Sequence, residues 1–151
     1  MAYFDNNSYY KEDLPRLDQS PFTVTSDETT DYNCVAWALG RSDVWISPAE
    51  DYEWPTDIER GTTIDIYKEL FKKYGYEICK NDSLEDGFQK VAIYFDLFNQ
   101  FHHVARQLSS EIWTSKLGSN EDIEHELRGL EGNYYGTNKV FMKKALQSNK
   151  K

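Results

Sequence analysis

The chain has 151 residues, 39% of them hydrophobic and 15% aromatic, and carries a formal net charge of −9. That length suits one domain, burying roughly 70% of its extended-chain surface without metal or disulfide staples, and the aromatic content excludes a disordered chain. The acidic balance excludes the basic stripe of a nucleic-acid binder and disfavours anionic membranes, and no apolar run reaches the ~18 residues of a membrane span.

Residues 1–20 form a polar, aromatic N-terminal arm in which Leu14 and Pro15 end any helix. No basic, then apolar, leader opens the chain, so a cytoplasmic location is expected. Residues 22–25 form a short extended piece. A short apolar helix follows over 33–40, capped by Asp31 or Asn33 and ended by Gly40, with Cys34 in its first turn. Residues 41–61, with Trp45, Pro48, Trp54 and Pro55, look irregular. Thr62 and Thr63 then cap a helix to Tyr74, where Ile66, Tyr67, Leu70 and Phe71 recur at helical spacing and Gly75 is the stop.

Strand character dominates from residue 76. Residues 76–79 form a short strand, and 90–95 a longer one with Val91, Ile93 and Phe95 on one face and Ala92 and Tyr94 on the other. Residues 101–108 and 112–117 make a hairpin around Ser110. Asn120, Glu121 and Asp122 cap a short acidic helix through Leu130. A last strand over 138–142 precedes a basic tail at 145–151. Helices followed by strands give an α+β domain over 21–144, a cysteine-bearing helix packed on an antiparallel sheet.

A cysteine is a nucleophile only as its thiolate, which a helix start or a nearby imidazolium favours. Cys34 has the first, and only His102, His103 and His125 could supply the second. His102 and His103 are strand neighbours and point to opposite faces. With the hairpin turning about Ser110, His103 lies opposite Leu117, sharing a face with Ser115 and Trp113; a one-residue slip brings Lys116 instead. Ser115 would be a weak orienting group for the imidazole.

Ordinary structural roles account for the same residues. Cys34 can be a small buried hydrophobe, and His103 a structural hydrogen-bonder. Cys79 is expected to be buried and inert, Trp37 to lie in the core, and His125 to orient a loop. Arg106 and Gln107 suit either carboxylate recognition or a solvated strand. A zinc site from Cys34, His103 and His125 lacks paired ligand spacing. Without a glycine-rich phosphate loop, nucleotide chemistry has no support, and neither metal nor organic cofactor is expected.

The string Tyr32-Asn33-Cys34-Val35-Ala36-Trp37-Ala38-Leu39-Gly40 resembles the signature of an uncharacterised bacterial domain family. Further motifs follow in the same order: His103-Val104-Ala105-Arg106-Gln107-Leu108, Trp113-Thr114-Ser115-Lys116-Leu117-Gly118, and Glu121-Asp122-Ile123 with His125. That family is similar in turn to papain-like folds of the cell-wall amidohydrolase type. The resemblance implies that Cys34 is the nucleophile and that His103, not His102, is the base. It puts the third catalytic position within 113–116, where Ser115 or Lys116 is an unusual occupant. The Cys34 backbone N–H, with Asn33 or Tyr32, would form the oxyanion hole, while Trp113, Lys116 and Arg106 would contact substrate.

Two functions follow as expectations. One is a cysteine hydrolase or acyltransferase acting on an amide, isopeptide or ester bond of a peptide or other acyl-bearing substrate. The other is a non-catalytic protein-binding module, of immunity or regulatory type, whose acidic surface and Tyr9, Tyr10, Trp45 and Trp54 meet a basic partner.

Overall fold

Each of the two α-helices among the described residues is cut to length by its caps. In α1 (Cys34–Ala38) the Asn33 side chain accepts the Ala36 N–H at 3.1 Å. Gly40, at φ +83°, closes the other end: its N–H reaches the Trp37 carbonyl and the Arg41 N–H reaches that of Ala36. Helix α2 (Ile64–Lys73) repeats the device with Thr63 as N-cap, Gly75 bonded to Lys72 and Tyr76 to Phe71. Both helix stops expected from glycine are present. The computed structural model describes residues 22–117, 121–131, 135–136 and 138–146.

Among the described residues, seven strands form one antiparallel sheet: β1 (Phe22–Val24), β2 (Glu77–Cys79), β3 (Phe88–Phe95), β4 (Phe101–Gln107), β5 (Trp113–Lys116), β6 (Asp122–His125) and β7 (Asn138–Ala145). Their order across the sheet is β1-β6-β5-β4-β3-β7-β2. Alternation divides them into two faces. Both helices cover one face, where Val91, Ile93, Val104 and Met142 pack on Val35, Ala36, Tyr67 and Leu70. Ala92, Tyr94, Ala105, Trp113 and Ile123 cover the other, against a 3-10 turn (Leu127–Leu130) and Tyr135. Each fully buried large apolar side chain contributes about 1.5–3 kcal/mol.

The α+β, papain-like expectation is therefore overturned. Seven paired strands against helices of five and ten residues make this a mainly-β fold. The acidic helix expected over 120–130 is instead strand β6 and the 3-10 turn. Asp122–His125 pairs with β5 on one side and β1 on the other, so sheet pairing overrides local helix signals. Trp54 is buried in the helix-side core, not displayed. The last strand, expected to end at 142, runs on to Ala145, the first residue of the expected tail, and Lys143 within it pairs with Glu85 at 3.0 Å. Residues 1–20, with Tyr9 and Tyr10, and residues 147–151 lie outside the described residues.

The Ser110 hairpin has the expected register, with Arg106 opposite Thr114 and Gln107 opposite Trp113. At the other end of β3, Gly136 lies at φ +88°, where an added Cβ would sit 2.3 Å from the Phe95 carbonyl oxygen. Gly136→Ala is expected to cost at least about 1–3 kcal/mol, measured as a lowered urea midpoint; an unchanged midpoint would contradict this close approach.

Candidate functional site

Strand β4 decides which side chains can meet. Val104 joins the helix-side core, and Cys34 packs against that same core from the start of α1. His103 precedes Val104 and faces the other way. Its cross-strand partner is Tyr94, and its ring stacks on Tyr135 at 4.3 Å and 10°. The sheet thus lies between Cys34 and His103.

The Cys34 residue is half-buried, and desolvation pushes its thiol up to about 11. Hydrogen bonding from the backbones of Val104, Cys34 and Val35, and the Lys116 charge, pull the other way without prevailing. The resting group is a protonated thiol. Cys79 is also half-buried rather than buried, with its thiol raised by desolvation.

Ser115 shares the His103 face but serves a different histidine. The His125 Nδ1–H donates to the Glu126 carbonyl at 2.7 Å, because a carbonyl can only accept. That leaves Nε2 to accept the Ser115 hydroxyl at 2.6 Å. Burial lowers His125 to about 4 and holds His103 well below the ordinary imidazole range, with the His125 charge adding to the effect on His103. Among the described residues, the His103 Nε2 has no hydrogen-bond partner. Ser115, His103 and His125 are all buried, as is Trp113 on the same face.

Four of the residues assigned to the oxyanion hole or to substrate contact, Tyr32, Asn33, Lys116 and Arg106, are drawn together on the helix side, whereas Trp113 lies in the far-side core. Tyr32 donates its hydroxyl to Asp122 Oδ2 at 2.6 Å. Lys116 lies over the Tyr32 ring and donates to the Thr29 carbonyl at 2.8 Å. Arg106 stacks over Trp37, whose indole N–H reaches Thr114 Oγ1 at 3.0 Å. Trp37 is thus partly buried against the core, close to its expected place. Asn33 is fully engaged: besides capping α1, its Oδ1 accepts the Ile46 N–H and its Nδ2 donates to the Ile46 carbonyl. Desolvation raises Asp122 and lowers Lys116, as befits charges held inside a protein. Among the described residues, no three or more His, Cys, Asp or Glu side chains are gathered to hold a metal ion.

Two features escaped the sequence reading. A cleft of about 450 Å³ opens beside Asn33, walled by Ile46, Pro48, Ala49, Tyr67 and Phe101. Its polar neighbours turn inward: Arg60 Nη1 ties the Pro48 and Ala49 carbonyls, and Thr62 Oγ1 donates to Gln100 Oε1. No sequence pattern announces it, since an irregular segment supplies most of its wall. The second feature is the β3–β4 tip, where Asp96 accepts N–H bonds from Phe98 and Gln100 and pairs with His102 Nε2 at 2.9 Å. The His102 bond, then the Gln100 N–H, hold the Asp96 carboxyl below its usual range. The turn displays Leu97 and Phe98, 84% and 83% exposed, and an apolar pair between two strands was the legible signal.

The neutral far-face imidazoles make stability depend on pH. An unfolded histidine titrates near 6.5, so below that pH the unfolded chain binds protons that the folded chain refuses. The contribution of His125 is complete above about pH 6.5 and is lost as pH falls toward 4, by about 3 kcal/mol. Urea unfolding at pH 7.5 and 4.5 should show this loss, and His125→Gln should remove about one proton from the slope. Equal pH dependence in the two proteins would contradict the assignment.

No helix among the described residues is long and apolar enough to cross a membrane. Comparison with curated proteins and with solved structures finds no match. Residues 23–143 match a domain family of unknown function, DUF7689, and the chain belongs to that family.

Proposed function

We propose that this domain is a non-catalytic protein-binding module of regulatory or immunity type. The observation that carries this reading is the separation of Cys34 from His103 by the sheet. A thiol at about 11 and a histidine buried against Tyr135 are poor partners for nucleophilic attack. The apolar cleft and the displayed Leu97–Phe98 tip add surfaces suited to association.

A second reading, a cysteine hydrolase or acyltransferase acting on an amide, isopeptide or ester bond, draws support from the Asp96–His102 pair. His102 lies on β4 two residues before Val104, whose backbone hydrogen-bonds the Cys34 sulfur. The β3–β4 register shifts between Tyr94 and Phe95, which leaves His102 without a cross-strand partner at a bulge between Phe101 and Val104, and both of those residues pack on the helix-side core. In this reading His102 takes the thiol proton as sulfur attacks the carbonyl carbon, and returns it to the leaving group; water or an amine then resolves the acyl-enzyme.

Iodoacetamide alkylation of Cys34 in a Cys79→Ser background separates the two readings. The module reading predicts slow labelling, with an apparent pKa near 11 that is unchanged in His102→Ala. Fast labelling with an apparent pKa below about 8.5, lost in His102→Ala, would favour the hydrolase and overturn the module.

A further inference from the structure

The surface around the cleft has three parts that lie next to one another. The first is the apolar cleft itself. The second is the Leu97–Phe98 tip, fastened to the cleft rim where the Phe101 N–H donates to the Thr62 carbonyl and Thr62 Oγ1 donates to Gln100. Phe101 follows the tip and lines the cleft, so the tip and the wall are one continuous stretch of chain. Asn99, at φ +61°, and the two N–H bonds to Asp96 fix the turn that holds both apolar side chains outward.

The third part is a second hollow of about 270 Å³, lined by residues that flank in sequence the 60–62 stretch of the cleft. Ile58 and Ile66 line it together with Asp57, Glu59, Asp65 and Glu69. Asp57 is bonded to Lys73 at 2.7 Å, and Glu69 meets Lys72 only at 3.9 Å. Glu59 and Asp65 make no ion pair among the described residues. The surrounding chain is strongly acidic: residues 41–69 hold eight carboxylates against three cations. One of those cations, Arg60, lies at the cleft rim and is tied to the Pro48 and Ala49 carbonyls.

We infer that this surface docks a basic segment of a partner protein, an apolar side chain flanked by lysine or arginine. The inference rests on the binding-module reading and names the partner class. The apolar residue enters the cleft and covers Leu97 and Phe98. A neighbouring cation lays its aliphatic stem on Ile58 and Ile66, with its charged head among Glu59 and Asp65. Charge selects this occupant over a second copy of the chain, because two such surfaces would bring like charges together.

The test uses fluorescence anisotropy with a labelled nonapeptide holding one phenylalanine flanked by four lysines. Two control peptides carry glutamine or glutamate in place of the lysines. The protein is wild type, Leu97→Ser/Phe98→Ser, or Glu59→Gln/Asp65→Asn, each checked for an unchanged urea midpoint. The lysine peptide is expected to bind about tenfold tighter than the glutamine peptide, a preference that shrinks as salt rises. Each double variant should weaken it about fivefold or more. Equal binding of all three peptides would overturn the basic partner class while leaving a binding module standing. Absence of binding, or binding indifferent to both variants, would overturn the surface itself. Self-association abolished by Leu97→Ser/Phe98→Ser would overturn it in favour of a second copy. Rapid Cys34 labelling, read separately, is what would remove the underlying module reading.

Discussion

Everything at the candidate site depends on the period-two alternation of β4. Successive residues of a strand point to opposite faces, and β4 runs through the middle of the sheet with both described helices on one side. Val104 and Arg106 therefore meet α1, whereas His103, Ala105 and Gln107 turn away from it. A shift of one residue would exchange the two sets. Pairing with β3 and β5 fixes the register against such a shift, through Tyr94 opposite His103 and Arg106 opposite Thr114.

The polar residues of the shared motifs acquire structural work from this division. On the helix side, Tyr32, Lys116, Asp122 and Arg106 tie the start of α1 to β4, β5 and β6 through charge-assisted and cation–π contacts. On the far side, Ser115, His125 and the Glu126 carbonyl form a closed chain of hydrogen bonds inside an aromatic core. Buried polar groups left without partners cost heavily, so such networks specify which strand lies beside which. A motif rich in Cys, His, Ser and Lys can arise from these demands alone.

Much of the local structure was legible in the sequence. Gly40 and Gly75 mark helix ends because only a residue tolerant of positive φ closes the last turn cheaply. The hairpin register followed from the short polar turn around Ser110. The fold class was not legible, because the 120–130 segment combines capping residues and acids that favour a helix with Ile123, whose β pairing wins only once β1 and β5 lie beside it. The Cys34–His103 pair failed for a related reason. Hairpin register tells which residues share a face, but not which face receives a distant helix. Ser115 correctly shared a face with His103, and neither shared one with Cys34. The cleft was hidden because its walls come from residues far apart in the chain, Ile46, Tyr67 and Phe101.

The most direct test of the central claim is NMR observation of the His103 ring through a pH titration, before and after alkylation of Cys34. Separation by the sheet predicts a neutral imidazole with no titration down to the onset of acid unfolding, and ring shifts indifferent to the state of Cys34. Titration of His103 near 6.5 or above, moved by alkylation of Cys34, would put the two side chains in one site and contradict this account.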